Sequence, residues 1–179
     1  MALTYSKTIP EGAPAPDFSL PGVDGKSYTL ANFKDARALV VMFMCNHCPY
    51  VIAVQDRINA LAKEFGPRGV ALVGINPNDS VRYPDDSFEA MKKRAAELGY
   101  AFPYLHDETQ EVARAYDAVC TPDPYVFENV GGKFLLRYHG RIDDSWKDAS
   151  AVKHRELAEA IEGILAGRKL EAQAHPSMG

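Results

Sequence analysis

One stretch of sequence decides the fold class: Ala38-Leu39-Val40-Val41-Met42-Phe43-Met44-Cys45-Asn46-His47-Cys48-Pro49-Tyr50. Its apolar part, residues 38–44, is continuous rather than alternating and too short for a buried helix, so it predicts a central strand covered on both faces. Cys45 and Cys48 follow directly as a C-x-x-C pair, and helical apolar spacing then runs to Phe65. A C-x-x-C that joins a buried strand to a helix indicates redox chemistry.

Outward from this stretch, strands alternate with helices along the chain. Residues 17–30 predict a short N-terminal hairpin, and residues 70–75 predict a second buried strand. An extra helix is expected after that strand, at 86–98, because Asp86 and Glu89 form a capping-box pattern. The remaining predicted elements are a strand at 102–105, a helix at 107–118, a hairpin of 125–127 with 133–138, and a helix at 152–166. This order predicts an α/β sandwich, with a mixed central sheet flanked by helices.

Composition narrows the class of protein. The chain has 179 residues, 46% hydrophobic and 25% charged, which predicts one folded domain over 1–179, with a core at about 12–166 and a fraying tail at 168–179. Its net charge of −4, without a basic stripe, argues against nucleic acid as a partner. Neither a membrane-spanning run nor an N-terminal signal pattern is seen, so we expect no membrane partner and a cytoplasmic location.

The cysteine pair suggests a division of roles. Cys45 is expected at the start of a helix, where free N–H groups and the helix dipole lower a thiol pKa, so it is the expected attacking thiolate. Cys48, one helical turn further, is then the resolving thiol. His47 between them is expected to tune the pair by placing positive charge beside the thiolate. A solvated turn residue is the other interpretation of His47.

Two other interpretations of the thiols stay open. Three cysteines and a histidine can complete a zinc site, although no second C-x-x-C is present. Buried, inert thiols are the third possibility. Cys120, outside the pair, is either a small buried hydrophobic residue or a third redox thiol.

The order of four motifs resembles the thioredoxin superfamily, and within it the redoxin branch that contains the alkyl hydroperoxide reductase and thiol-specific antioxidant proteins. The motifs are C-x-x-C-P-Y at 45–50, G-I-N-P-N-D at 74–79, D-E-T-Q at 107–110 and C-T-P-D at 120–123. The resemblance implies a thioredoxin-like fold in which Pro122 is a cis-proline facing the cysteines. It also implies that Thr121 pairs with an extended substrate segment, and that Asn46 and His47 tune the pair or contact substrate.

This chain departs from both patterns it resembles. Thioredoxins carry a buried acid and a Trp at the places held here by Leu39 and Met44, so the usual proton acceptor is missing. Peroxiredoxins carry Pro and Thr or Ser at the places held by Ala38 and Met42, counted from Cys45. The sequence therefore ranks peroxide reduction below disulfide exchange.

The resulting prediction is a thiol–disulfide oxidoreductase that works through a mixed disulfide of Cys45, resolved by Cys48. A thiol-dependent peroxidase of the peroxiredoxin type is the alternative, and a metal-binding or chaperone-like module without catalysis is the second. No cofactor and no metal is expected. The expected partners are protein or small-molecule disulfides and a thiol electron donor or acceptor.

Overall fold

A five-stranded mixed sheet forms the centre of the molecule. The computed structural model describes residues 3–170 and 174–179. The strands are β1 (Ser19–Pro21), β2 (Ser27–Thr29), β3 (Ala38–Phe43), β4 (Val70–Asn76), β5 (Tyr104–His106), β6 (Asp123–Val130) and β7 (Lys133–His139). The helices are α1 (Pro49–Phe65), α2 (Phe88–Leu98), α3 (Glu111–Ala115) and α4 (Glu156–Leu165). The sheet order is β5-β4-β3-β6-β7, and β1 and β2 form a separate N-terminal hairpin.

Strand β3 is the axis of the sheet. It pairs in parallel with β4 and antiparallel with β6, and all six of its residues are buried. Val40 and Met42 belong to one core, together with apolar residues of α1, α2 and α4. Leu39 and Val41 belong to the other core, with α3 and the N-terminal hairpin. This alternation across two covered faces explains why the strand is apolar throughout.

The architecture confirms the predicted fold class, a thioredoxin-like α/β sandwich with a mixed sheet flanked by helices and an N-terminal hairpin. The extra helix α2 lies after the second core strand, as expected. Among the described residues, no helix is both long and apolar enough to cross a membrane.

Several boundaries differ from the sequence prediction. Helix α1 begins at Pro49, and α2 begins at Phe88 because the side chain of Ser87 accepts from the backbone N–H of Ala90. Helix α4 begins only at Glu156, since Asp144 holds the preceding segment through the N–H of Lys153. Helix α3 and strand β5 are likewise shorter than expected.

The tail at 168–179, which is expected to fray, is described only in part. Residues 171–173 lie outside the described residues, but 174–179 run beside the N-terminal segment. Ser6 N–H donates to Ser177 O at 2.9 Å, and Thr4 N–H donates to Gly179 O at 2.8 Å. Backbone pairing with residues far away in sequence therefore holds this segment, and no local sequence pattern shows it.

Candidate active site

The two cysteines lie between the end of β3 and the start of α1. Cys45 follows β3, and Cys48 is the N-cap residue of α1, with Pro49 at the first helical position. Proline is suited to that position because its missing N–H is not needed there. Both cysteines are free thiols in the structure, and each is 2% exposed.

The loop before β6 faces the cysteines. The Thr121–Pro122 peptide bond is cis, which confirms the expectation from the resemblance. Thr121 Oγ1 lies 3.3 Å from Cys45 Sγ, and the Cys48 thiol donates to Thr121 O at 3.2 Å. Thr121 thus contacts both sulfur atoms, although it stands more than seventy positions away in the sequence.

A cavity of about 380 Å³ opens at the cysteines. We call it the cysteine cavity; its lining includes Cys45, Cys48, Cys120, Thr121 and Gly179. Cys120 is buried, and burial raises the pKa of its thiol. The structure thus places the third thiol on the same cavity as the pair, and its redox role stays a prediction.

Asp86 is the residue that sequence reasoning assigned wrongly. It was expected to cap α2, but its carboxylate is fully buried beside the C-x-x-C loop. The Asn46 N–H donates to Asp86 Oδ1 at 2.6 Å, and the His47 ring nitrogen Nδ1 makes a short contact with Asp86 Oδ2. Both residues between the cysteines are therefore fixed by one carboxylate.

The end of β4 and the loop after it complete the support of Asp86. Asn76 Nδ2 donates to Asp86 Oδ1 at 3.2 Å, and Asn78 Nδ2 donates to Asp86 Oδ2 at 2.9 Å. The His47 ring stacks on Tyr83, with 4.3 Å between ring centroids. The signal for this loop was present in the sequence, because polar residues directly after β4 must meet the end of its parallel neighbour β3.

The structure reverses the expected order of the two thiol pKa values. A hydrogen bond from Cys45, together with backbone N–H groups at the start of α1, lowers the pKa of Cys48 to about 5. The same hydrogen bond, burial and the negative charge of Asp86 raise the pKa of Cys45 well above its usual range. The hydrogen bond between the two sulfurs is the main cause of both shifts, and the backbone N–H groups at the start of α1 add to the lowering at Cys48.

One set of side chains has the spacing of a metal site. Cys45, His47 and Asp86 each offer a ligand atom, and these atoms lie within 4.8 Å of one another. In the structure, His47 Nδ1 and Asp86 Oδ2 contact each other. The same arrangement places a ring nitrogen and a carboxylate within 4.8 Å of the Cys45 sulfur.

A reactive dithiol at the start of a helix, facing a cis-proline loop in a thioredoxin-like fold, defines a thiol-based redox protein. Residues 12–143 match the family model described as "AhpC/TSA family", and the chain belongs to that family.

The chain is similar to solved and curated proteins over nearly its whole length. An uncharacterized conserved protein from Geobacillus kaustophilus shares 45% identity with a TM-score of 0.94, over 100% of this chain and 94% of that one. A hypothetical protein from Sinorhizobium meliloti shares 36% identity with a TM-score of 0.89, over 97% and 94%. A protein named Peroxiredoxin Bcp, from Xanthomonas campestris, is 26% identical over 89% of this chain and 94% of its own length.

Proposed function

We propose that this protein is a thiol-dependent peroxidase in which Cys48 attacks a hydroperoxide and Cys45 resolves the product. One observation carries the proposal: Cys48 is the N-cap of α1, its pKa is lowered to about 5, and it lies on the cysteine cavity. A lowered pKa favours the thiolate, the form that reacts with peroxides.

The reaction balances with the two thiols alone. The Cys48 thiolate attacks the terminal oxygen of the hydroperoxide; the O–O bond breaks, and the alcohol or water leaves after taking up a proton. Cys48 is then a sulfenic acid. The Cys45 sulfur attacks the Cys48 sulfur, the Cys45–Cys48 disulfide forms, and the hydroxyl group leaves as water. An external thiol reduces this disulfide and closes the cycle.

Cys45 must lose its proton in the second step. Its high pKa opposes that loss, since burial and the Asp86 charge favour the thiol. The His47–Asp86 pair lies within 4.8 Å of the Cys45 sulfur and is the base that we propose for this step. It would replace the buried acid of thioredoxins, whose usual place holds Leu39.

The comparisons support the peroxidase over the disulfide reductase that the sequence ranked first. Besides the Xanthomonas protein, a relative from Mycobacterium tuberculosis named a putative peroxiredoxin is 27% identical over 85% of this chain. Counted from Cys48, the places of the peroxiredoxin Pro and Thr hold Val41 and Cys45, so both residues of that pattern are absent. In their place, the Thr121 hydroxyl lies beside the sulfurs and is available to bind a peroxide oxygen.

The test is the rate of hydrogen peroxide and cumene hydroperoxide consumption by the reduced protein. We expect Cys48→Ser to abolish consumption and Cys45→Ser to allow one turnover, leaving a sulfenic acid that dimedone traps on Cys48. The two variants remove one sulfur each from the same pair, so each controls for the other. Trapping of the sulfenic acid on Cys45 in the Cys48→Ser protein, with full consumption of one equivalent, would reverse the assigned roles.

Thiol–disulfide exchange is a second candidate, because the cis Thr121–Pro122 bond lies directly beside the cysteine pair. In that reaction, the Cys48 thiolate attacks a disulfide of a protein or small molecule and Cys45 resolves the mixed disulfide. Reduction of insulin with dithiothreitol as electron source measures it. A rate equal to that of an efficient dithiol reductase, without peroxide consumption, would favour this candidate.

A further inference from the structure

Residues 174–179, which we call the covering segment, run beside the N-terminal residues and place Gly179 in the lining of the cysteine cavity. Thr4 pairs with Gly179 through two backbone hydrogen bonds, of 2.8 and 3.0 Å. Ser177 adds a pair with Ser6, because its carbonyl accepts from Ser6 N–H and its own N–H donates to the Ser6 hydroxyl, both at 2.9 Å. Backbone pairing thus fixes the position of the segment against the N-terminal residues.

The covering segment also contacts the cis-proline loop directly. Ser177 is 2% exposed, and its hydroxyl donates to the carbonyl of Pro122. Gly179 lies flat on the backbone of Thr121: a Cβ on Gly179 would lie 2.1 Å from Thr121 O and 2.7 Å from Thr121 N. The segment therefore occupies the surface over which an extended polypeptide would approach the cysteines.

The position of the covering segment limits which molecules can reach the two sulfur atoms. A disulfide of a protein brings its own backbone to the attacking sulfur, and both cysteines here are only 2% exposed. The remaining approach is the cysteine cavity of about 380 Å³, which Gly179 and Thr4 help to line. That volume admits a hydroperoxide or a small disulfide, whereas a folded polypeptide does not fit.

We propose that the covering segment determines substrate class: it admits small oxidants to Cys48 and excludes polypeptide disulfides. This inference rests on the proposed thiol chemistry. With the segment displaced, the Cys48 thiolate would attack a protein disulfide and release one protein thiolate. Cys45 would then attack Cys48, release the second thiolate and leave the Cys45–Cys48 disulfide, which dithiothreitol reduces.

The experiment compares the full chain with a variant that lacks residues 174–179. We also use Ser177→Glu, which puts a carboxylate against the Pro122 carbonyl. Pro176→Glu is the matched control, since Pro176 is exposed and adjacent. Insulin reduction with dithiothreitol should rise at least about tenfold in the first two variants. That factor corresponds to a full chain in which the covering segment is displaced in about a tenth of the molecules. Hydrogen peroxide consumption should change less than about threefold, and Pro176→Glu should match the full chain.

A second measurement keeps the proposal testable if a variant loses peroxidase activity. In the native state, the full chain should react with iodoacetamide at Cys48 and resist a polyethylene-glycol maleimide, and both variants should react with the large reagent. Circular dichroism melting checks that each variant is folded.

The outcomes separate this inference from the proposed function. If the deletion and Ser177→Glu leave both insulin reduction and large-reagent access unchanged, the segment is no barrier and the inference is overturned. If the full chain consumes no peroxide but the deletion raises insulin reduction, the peroxidase proposal fails and the covering role stands. Rapid insulin reduction by the full chain contradicts the covering role directly.

Discussion

Replacing the buried Asp86 by the isosteric Asn tests whether its carboxylate holds the residues of the site in place. Its two oxygens accept from four groups: the N–H of Asn46, the amides of Asn76 and Asn78, and the ring of His47. Asp86→Asn keeps one oxygen, which serves two of these donors. The new amide nitrogen faces the other two donors, which lose their acceptor.

The loss of stability follows from the number of donors that are left without an acceptor. A buried donor that loses its acceptor costs about 1–3 kcal/mol. The donors on Oδ2 belong to His47 and Asn78, which are half-buried and reach water, so the low side of two such losses applies. We expect Asp86→Asn to lower the free energy of unfolding by about 2–4 kcal/mol. For a chain of this size, that lowers Tm by roughly 4–16 °C.

Urea unfolding of the reduced protein measures this loss, with Asp85→Asn as the matched control. Asp85 is the exposed neighbour, so its substitution should change stability by less than about 0.5 kcal/mol. A second measurement separates the electrostatic role: removing the Asp86 charge should lower the pKa of Cys45, seen as faster alkylation of Cys45 at alkaline pH. Equal stability of the two variants, together with unchanged Cys45 alkylation, would refute the reasoning.

Three further predictions follow from the site and the core. Alkylation of Cys48, followed by peptide mass, should be rapid at pH 7 and fall as pH drops through about 5, because its thiolate form is lost below its lowered pKa; half-maximal rate near pH 8.5, as in a free thiol, would contradict this. Gly74→Ala should lower the free energy of unfolding by about 1–3 kcal/mol, because the new Cβ would lie 3.0 Å from both Met44 Sδ and Phe102 Cε2. Gly66→Ala is the control: its Cβ meets no atom within 4 Å, so urea unfolding should show almost no change. Mild oxidation of Cys48→Ser should give a Cys45–Cys120 disulfide within one monomer if Cys120 is a third redox thiol; dimers linked through Cys45, with free Cys120, would make Cys120 only a buried side chain.

The sequence predicted those parts of the fold that depend on local patterns. The apolar run at 38–44 predicted β3 because both faces of that strand are covered, and the C-x-x-C with its following spacing predicted α1. The helix, however, begins a few residues later than expected, so its N-terminus lies at Cys48 instead of Cys45.

The rest of the site depends on contacts between distant residues. Asp86 lies next to a sequence that looks like a helix cap, and only the folded chain brings it to Asn46 and His47, which stand about forty positions earlier. Local capping rules cannot detect such a contact, since they compare residues one turn apart. For the same reason, local patterns do not show the pairing of the covering segment with the N-terminal residues.

The pairing of Thr4 with Gly179 bears on how the protein is labelled and purified. Thr4 and Gly179 both line the cysteine cavity, so an affinity tag or fluorophore joined to Gly179 starts at the entrance of this cavity. The Gly131–Gly132 turn joins β6 to β7 at the far end of β6, roughly 25 Å from the cis-proline, and has open space around both glycines. A tag inserted at this turn leaves the entrance in its native state, and it is therefore the better attachment point for kinetic work.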